Sequence, residues 1–117
     1  VTGVQTCALP ISATVSATLD SFTIRPDQAA VAHGPIRFVA KNVHARDVHE
    51  LVVIRTKPDG TKQTAGEIED LQPLASGEMV LDLPAGTYEL ACVIAKGEAG
   101  SSVDHYAQGM HVPFEVR

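Results

Sequence analysis

The chain is poor in aromatic side chains and in positive charge. It has no tryptophan, two tyrosines and three phenylalanines, so a mainly aliphatic core is expected. Nine basic residues stand against fourteen acidic ones, which gives a net charge of −5 at pH 7, and the basic residues form no cluster. A nucleic-acid partner is therefore not expected, because binding to phosphates requires a basic surface.

Long apolar runs are also missing. No apolar run approaches the roughly 20 residues that a helix needs to cross a bilayer, so no membrane-spanning segment is expected. The chain has 117 residues, of which 44% are hydrophobic and 20% are charged. This length and composition are typical of one globular domain with a real core.

The first eleven residues, VTGVQTCALPI, differ from the rest of the chain. They carry no charge, show no strand alternation and lack the apolar block of an export signal. They resemble the translation of a sequencing-library adapter that has been read through into an open reading frame. We therefore interpret residues 1–11 as a non-native leader and residues 12–117 as the single domain. On that interpretation the natural N-terminus, with any signal peptide or membrane anchor, is missing from this sequence.

Removing the leader also removes Cys7 and leaves Cys92 as a lone cysteine. A lone cysteine cannot form a disulfide within the chain, so disulfide stapling is excluded. The default interpretation of such a residue is a small buried hydrophobic side chain. Any functional interpretation of Cys92 therefore needs other residues that converge with it.

From residue 12 onward the sequence shows the alternation that is typical of β-strands. In PIRFVAKN, for example, Ile36, Phe38 and Ala40 fall on one face, while Arg37 and Lys41 fall on the other. Similar strand signals, from alternation or from β-branched residues, occur in SATVSATLD, DSFTIRP, HELVVIRT, SGEMVLDL, TYELACV and HVPFEVR. The chain is thus predicted to be all-β.

The segments between these strands are short. Only EIEDLQPLASGE, residues 67–78, could hold a brief helical turn, and KPDGTKQTAG, residues 57–66, is predicted to be the most mobile loop. No strand–helix alternation is present. The prediction is an antiparallel β-sandwich of seven or eight strands.

Four residues with metal-binding side chains can converge at one end of this sandwich. Period-2 geometry puts Cys92 on the inner face at the end of one strand, and His49 opens another inner strand. If these strands are antiparallel partners, the two residues lie at the same end. His105 and Met110 lie on the segment that leaves Cys92 and returns to the last strand. Two imidazoles, one thiolate and a weakly bound thioether form the trigonal donor set that holds copper for electron transfer.

Other interpretations of these residues remain open. Zinc could use the same ligands, although it would use the thioether poorly. A metal-free immunoglobulin-like binding module would share the sandwich but would not explain the four residues. A copper-delivery protein would usually expose Met-rich or His-rich ligands, and only two Met are present. Of the remaining histidines, His33 and His44 are expected to be solvated, and His111 is expected to point away from Met110.

The ordered combination of motifs resembles the cupredoxins, the small blue copper proteins of the plastocyanin and azurin type. The matching pieces are PIRFVAKN, VHELVV with His49, LPAGTYELAC with Cys92, DHYAQGM with His105 and Met110, and PFEV, and the resemblance extends over roughly residues 13–117. The resemblance implies a Greek-key sandwich and one type 1 copper ion bound by those four residues.

The same resemblance also implies a function. It implies an electron carrier rather than an enzyme, which passes electrons between a donor and an acceptor redox protein. It further implies a monomer that works in the periplasm or outside the cell. By analogy with the family, the ring edge of His105 is expected to reach the surface and to serve as the electron port.

Two features depart from the family pattern. Twelve residues, 93–104, separate Cys92 from His105, whereas many small cupredoxins have a much shorter loop there. In addition, the residue after the first histidine, which is often Asn in the family, is Glu50. The Asn normally ties two loops of the site together, so the sequence leaves the corresponding tie in this chain undefined.

Overall fold

The computed structural model describes residues 10–117. Over this range the chain forms strands joined by turns and loops, without a helix. In chain order the strands are β1 (Ala13–Asp20), β2 (Thr23–Pro26), β3 (Ala30–Val31), β4 (Gly34–Asn42), β5 (His49–Thr56), β6 (Lys62–Leu71), β7 (Ser76–Leu83), β8 (Gly86–Ala91) and β9 (His111–Val116). The all-β prediction is confirmed, and the nine strands include the two-residue β3.

The strands form two sheets that pack into a sandwich. One sheet has the order β3-β9-β8-β5-β6 and the other has the order β2-β1-β4-β7. Most neighbouring strands are antiparallel, as predicted, but β9 pairs with β3 and β1 pairs with β4 in parallel. Both sheets are therefore mixed. Alternation within a strand does not distinguish the two kinds of pairing, which is why the sequence did not reveal the parallel pairs.

The core lies between the sheets and is built from the alternating positions. In β4 the side chains of Ile36, Phe38 and Ala40 are fully buried, as the period-2 pattern predicts. Phe38 meets Phe114 of the opposite sheet edge to face, with ring centroids 5.8 Å apart. Burial of such large apolar side chains stabilises the fold by roughly 1.5–3 kcal/mol each. These contacts hold the two sheets together.

One region differs from the prediction. Residues 62–66, expected in a mobile loop, and residues 67–71, expected in a helical turn, instead form the single strand β6. Most of this edge strand is exposed or half-buried, so its sequence lacks a clean alternation. Gly66 and Gly77 face the side chains of Leu81 and Ile68 so closely that a Cβ there would lie 2.6 and 2.8 Å from them. The two sheets therefore approach closely along β6 and β7.

The leader prediction lies mostly outside the described range. Residues 1–9 are not described, and of the remainder Pro10 and Ile11 are exposed. The boundary between leader and domain therefore stays a prediction. Among the described residues, no helix has the length and apolarity needed to span a membrane.

Candidate metal centre

The pairing of β5 with β8 brings His49 and Cys92 to the same end of the sandwich. The two strands are antiparallel neighbours, with Val52 opposite Ala91. His49 begins β5, and Cys92 directly follows the last residue of β8. The start of one strand therefore lies beside the end of the other.

His105 joins these two residues in a compact buried cluster. The ligand atoms of His49, Cys92 and His105 all lie within 4.8 Å of one another. The two Nδ1 atoms are 3.3 Å apart, and the Cys92 Sγ is 3.4 Å from the Nδ1 of His105. Relative exposures of 0%, 0% and 1% show that water has almost no access to the three side chains. Such a group of one sulfur and two imidazole nitrogens can hold a soft or borderline metal ion.

Met110 is placed beside this cluster by its backbone. Its side chain is fully buried in the hydrophobic core. Its carbonyl accepts a hydrogen bond from the Cys92 N–H at 3.0 Å, and its own N–H donates to the His105 carbonyl at 3.2 Å. Met110 is thus held between two members of the cluster, and its role as the axial ligand stays a prediction.

The position of His105 corrects the expectation of an exposed electron port. The ring is 1% exposed, because the long loop after Cys92 folds back over it. The His105 N–H donates to the carbonyl of Ile94 at 2.9 Å, and Ser101 Oγ lies 2.9 Å from the ring Nε2. Phe22 meets the ring edge to face, with centroids 5.1 Å apart. His105 therefore lies beneath Ser101 and Phe22 instead of reaching the surface.

The turn between β1 and β2 contacts the other imidazole and is linked to the loop before β5. Ser21 Oγ lies 3.0 Å from the Nε2 of His49 and 2.6 Å from the Oδ2 of Asp47. His44, which was expected to be solvated, is half-buried and orders this loop, because its Nδ1 accepts hydrogen bonds from the N–H groups of Arg46 and Asp47. His44 is therefore only partly solvated, and its ring also has a structural role in this loop.

Burial keeps the cluster uncharged when no cation is bound. It lowers the pKa of His49 to about 4, with a further contribution from the neighbouring His105, and it also lowers the pKa of His105. Burial likewise raises the pKa of the Cys92 thiol. Both imidazoles are neutral at pH 7 and available as ligands, whereas Cys92 must release a proton to bind a metal as thiolate.

Glu50 links the two segments of the site that the family's Asn normally joins. Its Oε1 accepts a hydrogen bond from the N–H of Val93 at 3.1 Å. Since Glu50 follows His49 and Val93 follows Cys92, this contact links the two strands next to both residues. Burial raises the pKa of Glu50, and the Val93 N–H partly opposes this shift by stabilising the carboxylate.

The remaining histidines lie away from the cluster. His33 is exposed, and its Nδ1 lies 2.8 Å from the carbonyl oxygen of Arg117. His111 is exposed and stacks on Tyr106 with ring centroids 4.1 Å apart, and it points away from the buried Met110, as expected. Sequence reasoning missed Ser21, Phe22 and Ser101, which contact the imidazoles from two segments, the turn between β1 and β2 and the long loop after Cys92.

Comparison with known proteins places this architecture in a class. No protein-family model and no curated protein matches the chain. Solved structures do match. A reduced auracyanin from the photosynthetic bacterium Roseiflexus castenholzii is 18% identical, with a TM-score of 0.65 over 94% of this chain and 99% of that one. Auracyanin B is 16% identical, with a TM-score of 0.66 over 95% of this chain and 93% of that one.

A third match is auracyanin A, a "blue" copper protein from the green thermophilic photosynthetic bacterium Chloroflexus aurantiacus. It is 16% identical, with a TM-score of 0.62 over 89% of this chain and 99% of that one. The chain therefore has the cupredoxin fold. Together with the sulfur and two imidazoles of the cluster, this likeness supports a single type 1 copper site.

Proposed function

We propose that the chain is an electron carrier that binds one copper ion through His49, Cys92, His105 and Met110. The observation that carries the proposal is the buried cluster in which one thiol and two imidazole nitrogens lie within 4.8 Å of one another. When bound, copper supplies one-electron chemistry by alternating between Cu(I) and Cu(II).

The donor types suit both oxidation states. The sulfur atoms of Cys92 and Met110 favour Cu(I), whereas the imidazole nitrogens of His49 and His105 favour Cu(II). The enclosing β-sheet, loop contacts and Glu50 tie hold the protein donors in place. A site that needs little rearrangement between the two states suits rapid electron exchange with a redox donor and a redox acceptor.

The burial of the cluster argues against the other interpretations. A metal-free binding module would gain more from apolar side chains at this position, because burying two imidazoles takes polar groups out of water. A copper-delivery protein would need ligands that a partner can reach, but the three donors are at most 1% exposed. On the electron-carrier interpretation we also propose a site of action in the periplasm or outside the cell, as the resemblance to cupredoxins implies.

Addition of Cu(II) to the metal-free protein tests the proposal. A thiolate bound to Cu(II) in a trigonal site gives an intense charge-transfer absorption, so the solution should turn blue or green and bleach reversibly on reduction. Cys92→Ser should abolish the colour, because a neutral hydroxyl cannot replace the thiolate. Met110→Leu should keep the colour and shift the potential, because the axial bond is long and weak.

His33→Ala serves as the matched control, since the exposed His33 ring lies away from the cluster, with its Nδ1 2.8 Å from the carbonyl oxygen of Arg117. This variant should bind copper and develop colour like the wild-type protein. Colourless binding of copper by both the wild-type protein and Cys92→Ser would refute the electron-carrier assignment.

A further inference from the structure

Each imidazole of the cluster contacts a serine hydroxyl through the ring nitrogen that faces away from the cluster. Ser21 Oγ lies 3.0 Å from the Nε2 of His49, and Ser101 Oγ lies 2.9 Å from the Nε2 of His105. The two serines come from unrelated parts of the chain, the turn between β1 and β2 and the long loop after Cys92. Each ring therefore has a serine hydroxyl as its partner, and the two serines come from different segments of the chain.

The direction of the first contact follows from the second partner of Ser21. Its Oγ donates a hydrogen bond to the Oδ2 of Asp47 at 2.6 Å. An ionised carboxylate only accepts, so the single hydroxyl proton of Ser21 is donated to Asp47. Ser21 then has only lone pairs left for His49, and the Nε2 of His49 must carry the ring proton.

The same reasoning applies to His105. Ser101 Oγ donates to the backbone carbonyl of Val103 at 2.7 Å, and a carbonyl oxygen is an acceptor only. The hydroxyl proton of Ser101 is thereby used, so the contact with His105 requires a proton on the ring Nε2. Ser101 Oγ also accepts a hydrogen bond from the Val103 N–H at 3.3 Å, which fixes its position further.

We propose that Ser21 and Ser101 are positioning residues that hold His49 and His105 in the Nε2–H tautomer, with both Nδ1 lone pairs directed into the cluster. Asp47 and the Val103 carbonyl set the direction of the two hydrogen bonds. The serines act only through the two imidazoles and do not touch the ion. The inference deepens the proposed copper function and, in that respect, depends on it.

The proposal leaves the two ring nitrogens that face the cluster free to bind one ion. With both ring protons on Nε2, the Nδ1 atoms present only lone pairs to each other across 3.3 Å. In this tautomer no hydrogen bond joins the two Nδ1 atoms, and both lone pairs are available to one shared cation. A hydrogen bond that orients the ring of a metal-binding histidine typically changes metal affinity roughly 10- to 100-fold when it is removed.

The first experiment uses the metal-free, reduced wild-type protein at pH 7. Nitrogen-15 NMR of the histidine rings reports which nitrogen carries the proton. Both His49 and His105 should show a protonated Nε2 and an unprotonated Nδ1, with Nε2 protons that exchange slowly with water. A protonated Nδ1 on either ring would overturn the proposal, whether or not any variant folds.

The second experiment removes one hydroxyl at a time. In Ser101→Ala the Nε2 proton of His105 should exchange too fast to be observed, while that of His49 should be unchanged, and Ser21→Ala should show the reverse. Ser101→Thr keeps the hydroxyl and should restore the signal. Ser102→Ala is the matched control, because Ser102 is an exposed neighbour in the same loop. Unchanged exchange in both alanine variants would overturn the proposal.

Copper affinity gives the readout that connects the serines to function. In a chelator competition, Ser101→Ala and Ser21→Ala should each bind Cu(II) roughly 10- to 100-fold more weakly than Ser102→Ala. Equal affinities would overturn the part of the proposal that concerns metal binding. Failure of the wild-type protein to bind copper would refute the proposed function instead, and the NMR result would still decide the tautomers.

Discussion

Asn42 is the residue whose removal should most affect the end of the sandwich that holds the metal centre. It is fully buried at the end of β4. Its amide nitrogen donates to the backbone carbonyls of Asp47, Leu71 and Gln72 at 2.8, 2.9 and 3.2 Å. Its side-chain oxygen accepts from the His44 N–H at 3.0 Å. One amide therefore connects the loop before β5 to the end of β6.

The expected loss of stability follows from these contacts. The bond to Leu71 is enclosed, and an unsatisfied buried acceptor costs about 1–3 kcal/mol. The other contacts are only partly buried, so water can replace Asn42 there and each loss costs roughly 0.5 kcal/mol. Asn42→Ala should therefore lower the free energy of unfolding by about 3 kcal/mol. Asn42→Asp should lower it at least as much at pH 7, because a carboxylate would face carbonyl oxygens.

Urea unfolding of the metal-free protein, followed by circular dichroism, measures this change. Lys41→Ala is the control, since the exposed Lys41 side chain donates to a single carbonyl, that of Leu74. The control should lose less than about 1 kcal/mol. If Asn42→Ala lost no more than Lys41→Ala, the amide would not hold the two segments together and the reasoning would be refuted.

Two further predictions concern the titration of His49 and the hydrogen bond between Glu50 and the Val93 N–H. The metal-free protein should lose about 3 kcal/mol of stability between pH 7 and pH 4, because the His49 pKa of about 4 lies below the 6.5 of an unperturbed histidine and the unfolded chain binds the proton first. Urea unfolding at several pH values measures this, and His49→Gln should weaken the dependence and leave the part that comes from the lowered pKa of His105. Glu50→Ala should cost about 1 kcal/mol by removing the acceptor of the Val93 N–H, and Glu50→Gln should restore most of it. Equal stabilities of the two Glu50 variants would contradict that role.

The fold could be predicted from the sequence wherever one face of a strand is buried. In β1 and β4 the inward residues alternate strictly, so that Val15, Leu19 and Phe38 could be assigned to the core from spacing alone. β6 carries no such signal, because its side chains are mostly exposed on both faces. Because the segment is polar, its sequence predicts part of a loop and a helical turn.

The meeting of His49, Cys92 and His105 could also be anticipated, because the ends of adjacent antiparallel strands lie together whatever the details of the loops. Ser21 and Ser101 could not be. A serine in a turn or loop has many roles and no characteristic spacing, and its hydroxyl acquires a partner only when the chain folds. The length of the loop was visible in the sequence, but the side on which it folds back was not.

The burial of His105 changes what the long loop is expected to do. Ser101 is half-buried, and it contacts the ring directly, so the residue that positions His105 also separates it from solvent. A cleft between residues 46–48 and 99–101 leads to the same ring. On the proposed function, an electron that enters near His105 would reach the ring through this cleft, through Ser101 or through Phe22, which packs against the ring. Changes in the loop of residues 93–104 should therefore alter both the position of the His105 ring and the surface that a redox partner would contact. In a site whose histidine edge is exposed, these two properties could vary separately.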